Sequence, residues 1–193
     1  MSLPVEYTDG YVEKWKREEI LDGKVYLAPR PTTDHIETEG NLTRLFKNYL
    51  WDKNCRFLSE PIVYFTPKDR FVPDAVVVCD LEKIKIDGVY GAPDLVVEVL
   101  SPSTKKRDRA YKKDLYERAG VAEYWIIDVK ARSIEVYLAN DGKYYLDNIY
   151  QVVEDWELDM MDEEDRAEVK FQFKTHLFDD LIIDVHDVFK NIG

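Results

Sequence analysis

The run Leu95-Val96-Val97-Glu98-Val99-Leu100 is apolar on both faces except for one acid, the pattern of a central strand covered on both sides. Burying an unpaired carboxylate costs several kcal/mol, so Glu98 requires a partner. Asp94 shares its strand face, but four residues span roughly 13 Å at ~3.3 Å per residue, too far to chelate one ion. Asp74 is the better companion. It opens the run Asp74 to Cys79 while Glu98 closes its own strand, so antiparallel pairing of the two brings both carboxylates to one sheet edge. Two carboxylates so placed suit a hard cation such as Mg²⁺ or Mn²⁺, which takes oxygen ligands and retains waters for hydrolytic chemistry.

A cation completes the constellation. On a helical wheel with Tyr111 at 0°, Leu115, Ala119 and Tyr116 fall at about 40°, 80° and 140°. Lys112, near 100°, points inward with them, whereas Lys113, near 200°, turns toward solvent. An inward lysine on the helix after the strand of Glu98 can orient a water or stabilise charge developing on phosphorus. The plainer alternative is an i,i+4 pair with Asp108. Lys105, Lys106, Arg107 and Arg109 precede Lys112 and Lys113, six cations within nine positions, which can contact phosphates or simply form a solvated helix face.

These side chains need a scaffold. The segment Glu19 to Leu27 reads as a helix or loop end, a turn at Asp22-Gly23 and a strand stopping at Pro29. Apolar residues at helical spacing predict a helix from Asp34 to about Trp51, with Asp34 as N-cap. Strands follow at Phe57–Phe65, Asp74–Cys79 and Asp94–Leu100. Ser103 or Thr104 caps a helix ending at Ala119, with Gly120 as its C-terminal stop. Tyr124–Val129 is a second buried strand, and Ser133–Leu138 and Lys143–Tyr150 form a hairpin about Asn140-Asp141-Gly142. An acidic loop is expected at about 154–165, and a strand-rich C-terminal extension from Val169 to Ile183. Mixed strands with two principal helices predict an α/β fold, a central mixed sheet flanked by helices.

The whole chain fits one domain: 193 residues, 45% hydrophobic and 13% aromatic, suffice for one core. No apolar run approaches a membrane span and the N-terminus lacks signal-peptide regions. Cys55 and Cys79 lack metal-ligand spacing and read as reduced, small hydrophobes, so a cytoplasmic location is expected. The net charge of −12 argues against general nucleic-acid affinity, but it is mostly a C-terminal property: residues 141–193 hold 15 acidic and 5 basic side chains. GxxxxGK[ST], GxGxxG, HExxH, GxSxG and CxxC are all absent, removing the usual support for P-loop hydrolysis, zinc proteolysis and serine hydrolysis.

Five segments occur in a telling order: Glu19-Ile20-Leu21-Asp22-Gly23, Val72-Pro73-Asp74-Ala75-Val76-Val77-Val78, Pro93-Asp94-Leu95 through Ser101-Pro102-Ser103-Thr104, Asp108-Arg109-Ala110-Tyr111-Lys112, and Gly120-Val121-Ala122-Glu123-Tyr124 through Asp128. Over roughly residues 10 to 140 the chain resembles the Uma2 family of restriction-endonuclease-like proteins, a branch of the PD-(D/E)XK nuclease superfamily. The resemblance implies a restriction-endonuclease-like fold and a Mg²⁺- or Mn²⁺-dependent endonuclease acting on DNA. By the same resemblance Asp74 and Glu98 are metal-binding acids, Lys112 is a catalytic lysine moved onto the helix, Glu19 is a supporting acid and His35 lies near the pocket mouth. One position departs from the pattern: Leu100 stands where a lysine usually follows the second acid by two residues. That departure favours an alternative, a non-catalytic member of the fold serving as a nucleic-acid-binding or protein-interaction module. Cleavage of both strands of a duplex by paired active sites would make the protein a homodimer, with sheet edges near residues 140–142 and beyond Val169 to cover.

Overall fold

The structure, a computed structural model, describes residues 18–27, 30–101 and 111–193. Its central sheet has the order β12-β11-β10-β9-β6-β3. These strands are β3 (Arg56–Ser59), β6 (Ala75–Val78), β9 (Leu95–Val99), β10 (Glu123–Asp128), β11 (Ser133–Asn140) and β12 (Lys143–Gln151). The buried pair β9 and β10 runs parallel and all other neighbours are antiparallel, making the sheet mixed. A second sheet contains β1 (Glu18–Leu21), β2 (Lys24–Leu27), β4 (Val63–Thr66), β5 (Asp69–Phe71), β7 (Ile84–Lys85) and β8 (Gly88–Tyr90), in the order β2-β1-β5-β4-β8-β7.

Alternation along β9 divides the core. Leu95, Val97 and Val99 pack toward α1 (Thr33–Tyr49) through Leu42 and Phe46, and toward the hairpin of β13 (Gln172–Thr175) and β14 (Phe178–Asp184). Val96 and Leu100 pack on the opposite face with Tyr116 of α2 (Lys113–Ala119) and Val63 of the second sheet. Glu98 shares the parity of Val96 and Leu100, so its carboxylate lies between the central sheet, the second sheet and the start of α2. Gly120 ends α2 in the left-handed conformation (φ 83°), as its place after the helix predicts.

Several elements differ from expectation for identifiable reasons. The stretch Phe57–Phe65 divides into β3 and β4, which lie in different sheets, because Glu60 takes a positive φ of 51° and Pro61 offers no N–H to a ladder. Thr32, not Asp34, caps α1: its hydroxyl accepts from the backbone N–H of His35. The first described residues, Glu18–Leu27, form a hairpin of two strands. The acidic segment expected as a loop at 154–165 folds into α3 (Asp155–Met160) and α4 (Glu163–Glu168). Its acids serve the helix starts: Asp162 accepts from Asp165 N–H, and Glu157 accepts from the Glu154 backbone. A last short helix, α5 (Val185–Val188), follows β14. The reading of Cys55 and Cys79 as reduced is also corrected. The antiparallel register pairs Arg56 with Val78, so the two cysteines stand opposite each other one step further on, and they form a disulfide. Ser103, Thr104 and the first part of the expected 104–119 helix fall outside the described residues.

Candidate active site

The β6–β9 register pairs Ala75 with Val97, so one further step sets Asp74 opposite Glu98, the antiparallel juxtaposition expected from the sequence. Both are buried. Asp74 Oδ2 accepts the backbone N–H of Val99 at 2.7 Å, which fixes its carboxylate beside the strand end that carries Glu98. Asp94, the discarded partner, instead accepts from the N–H of Cys79 and ties the other end of the same strand pair.

Lys112 enters from the residue preceding α2. Its Nζ lies 2.9 Å from both oxygens of Glu98 and 2.9 Å from Glu19 Oε1, with all three side chains buried. The inward placement from the helical wheel therefore holds, and the pairing is with two strand acids; Asp108 lies outside the described residues. Glu19 is brought in by β1, where alternation buries it while Glu18 stays exposed. Tyr116, one turn after Lys112, donates its hydroxyl to Glu98 Oε1 at 2.6 Å. Burial and the charge of Glu98 push the Tyr116 phenol well above its ordinary value, so it remains a donor. Lys113, turned away from the site, is half-buried, with its ammonium 3.9 Å from the Tyr137 ring centroid. Tyr111, placed by the wheel on the apolar side, is exposed.

On the other side of Asp74, α1 contributes two groups. His35 Nε2 lies 3.3 Å from Asp74 Oδ1 and 3.4 Å from Glu39 Oε1. Burial opposes the imidazolium, but the contacts with Asp74 and Glu39 and their negative charges outweigh it and raise His35 to about 9. Burial works against the Asp74 carboxylate too. There the contact with His35, its charge, the charge of Lys112 and the Val99 N–H prevail and hold the group below its usual range. Of the residues expected at the site, Asp74, Glu98, Lys112, Glu19 and His35 converge, while Lys105, Lys106, Arg107 and Arg109 lie outside the described residues. Glu39 and Tyr116 were not anticipated as site groups. Each stands four residues after a site residue on the same helical face, His35 and Lys112 respectively, and that spacing is the signal that could have found them.

A family model described as "Putative restriction endonuclease", Uma2, matches residues 4–165. The chain belongs to the Uma2 family. An uncharacterised protein of Synechocystis sp. is 30% identical over 158 residues, covering 80% of this chain and 83% of that protein. A crystal structure described as a "putative nuclease" of DUF820 from Anabaena variabilis shares the fold with a TM-score of 0.68 at 17% identity, over 89% of each chain. Within the Uma2 chain, Leu100, two residues after Glu98, is apolar and buried in the same cluster as Val96 and Tyr116. Lys112 brings an ammonium to Glu98 from a different element.

Proposed function

We propose that the protein is a metal-dependent endonuclease that hydrolyses DNA phosphodiester bonds, with Asp74 and Glu98 as the acids that hold Mg²⁺ or Mn²⁺. The observation that carries this reading is the opposed pair Asp74 and Glu98 with Lys112 buried between Glu98 and Glu19. Their donor set fits such a cation: the carboxylates of Asp74, Glu98 and Glu19 are oxygen ligands of the type hard divalent ions take. When bound, the ion supplies Lewis-acid polarisation of the phosphate and lowers the pKa of water.

The remaining roles belong to the chain itself. Asp74 is oriented by the Val99 N–H and Glu98 by Lys112 and Tyr116, so neither carboxylate must reorganise when charge develops nearby. The Lys112 ammonium, drawn toward acids on two strands, is positioned to stabilise negative charge on phosphorus oxygens, the role the superfamily pattern gives to a lysine at the place of Leu100. The cations Lys105, Lys106, Arg107 and Arg109 would dock the DNA backbone in a chain otherwise acidic. A cytoplasmic location belongs to the same reading through the DNA substrate alone, since Cys55 and Cys79 form a disulfide, and cutting of both strands calls for a homodimer.

The test is a cleavage panel on single-stranded, duplex and branched DNA with Mg²⁺ or Mn²⁺, comparing wild type with Asp74→Ala. Cleavage by the wild type that disappears in Asp74→Ala supports the reading. Equal, negligible activity of both across the panel overturns it in favour of a non-catalytic binding module.

A further inference from the structure

Asp74 has two faces. Oδ2 is held by the Val99 N–H next to Glu98, while Oδ1 is turned to the first turns of α1, where His35 and Glu39 stand one helical turn apart. One ligand atom from each of His35, Glu39 and Asp74 can be chosen so that all lie within 4.8 Å of one another. His35 is 6% exposed, its Nε2 contacts Asp74 Oδ1 and Glu39 Oε1 as an ion pair, and its Nδ1 has no hydrogen-bond partner among the described residues. An imidazole and two carboxylates thus converge in a buried place, with His35 Nε2 facing both acids and His35 Nδ1 left without a hydrogen-bond partner among the described residues, a lack that costs about 1–3 kcal/mol. The two separations from Nε2 are those of ligands around one ion. Donors about 2.1 Å from a metal are roughly 3.0 Å apart at octahedral and roughly 3.4 Å apart at tetrahedral angles. The observed separations from Nε2 are 3.3 and 3.4 Å.

We propose that His35 Nε2, Glu39 and Asp74 Oδ1 form a binding site for a divalent first-row transition-metal ion. An imidazole ligand makes the site select Mn²⁺ or Zn²⁺ over Mg²⁺, because nitrogen donors suit the former and Mg²⁺ prefers oxygen alone. Two carboxylates neutralise the charge of a divalent ion, which displaces the Nε2 proton of His35 to solvent on binding, and the helix holds His35 and Glu39 in register before the ion arrives. Asp74 then links this site to Glu98. The inference deepens the metal-dependent reading above and rests on it for any consequence in cleavage, whereas ion binding is measured separately.

Isothermal titration of the metal-stripped full chain with MnCl₂ and with MgCl₂ tests the site. Wild type is expected to bind Mn²⁺ at least about tenfold more tightly than Mg²⁺, and His35→Ala and Glu39→Gln to lose about tenfold or more in Mn²⁺ affinity. Glu39→Gln keeps the side-chain shape and remains decisive if His35→Ala does not fold. Mn²⁺ binding by a folded Glu39→Gln variant as tight as wild type overturns the site, as does an equal wild-type affinity for Mn²⁺ and Mg²⁺. Wild-type Mn²⁺ binding lost in both variants, but without DNA cleavage under any metal, upholds the site and overturns the nuclease reading. Cleavage with unaltered Mn²⁺ binding in the variants does the reverse.

Discussion

Lys112 concentrates stability and chemistry in one side chain. Its ammonium is buried against Glu98 and Glu19, so Lys112→Met leaves two buried acids without their shared cation. Breaking a buried pair from one side costs about 3–5 kcal/mol. Urea denaturation should show a loss of that order, together with loss of DNA cleavage under conditions where the variant is still folded. Lys113→Met removes only a partly exposed cation–π contact with Tyr137, worth about 0.5–1 kcal/mol, and should leave cleavage near wild type. Equal losses of activity from the two substitutions would return both lysines to a common docking role. His35 makes a second residue-level prediction through pH. Its folded pKa, about 9, lies above the ordinary 6.5, so its stabilising contribution is complete below 6.5 and fades as pH rises toward 9. Asp74 has the opposite sign, with a lowered pKa whose benefit exists above its ordinary 3.8 and is lost on acidification. In metal-free protein the pair should therefore be most stabilising between about pH 4 and 6.5, with a decline on the order of 3 kcal/mol toward pH 9. Melting temperatures across that range should fall more steeply for wild type than for His35→Gln; parallel curves would show that His35 does not titrate with folding.

At the level of elements, what was legible in the sequence is what a periodicity carries. Leu95–Val99 and Tyr124–Asp128 announce themselves as doubly covered strands, and a single acid in the first marks the site because few other reasons place a carboxylate there. Asp74 could be chosen over Asp94 because strand rise alone excludes the latter. Long-range register was not legible. It decides that β4 leaves the central sheet, that β1 delivers Glu19 into the site, and that Cys55 meets Cys79 across β3 and β6. Glu39 was similarly hard to read, and His35 was named only through the family resemblance, since an apolar wheel for α1 takes no account of the acid that the end of another sheet strand presents to its first turn. The disulfide makes the element-scale prediction. It joins the edge strand β3 to β6, the strand that follows Asp74, and closes a loop across a sequence separation of 24. Constraint of the unfolded chain by a loop of this size is worth about 3 kcal/mol. Chemical denaturation with and without a thiol reductant should differ by that order, and Cys55→Ser should match the reduced wild type. Identical curves would show that the strand pair is held by its ladder and packing alone.

The whole molecule sets sheet edges and charge against each other. β12 closes one side of the central sheet and exposes Tyr145, Leu146 and Ile149, while β2 closes the second sheet and exposes Val25, Tyr26 and Leu27. Edges bearing apolar side chains invite pairing with another strand unless something covers them. The C-terminal residues 141–193 carry 15 of the 39 acids, so two copies brought together there must separate that charge from the contact. β12 meets this requirement in part, since its exposed apolar residues are interrupted by one acid, Asp147, and begin at Lys143. A symmetric dimer formed edge to edge along β12 would extend the sheet across the two-fold axis. Light scattering at micromolar concentration should then report twice the 22.7 kDa of one chain. Leu146→Lys, a charge placed on the proposed edge but away from the buried core, should return the mass to that of one chain while leaving the melting curve of the monomer close to wild type. A wild-type mass of one chain would rule out the dimer, and a dimer untouched by Leu146→Lys would move the interface away from β12.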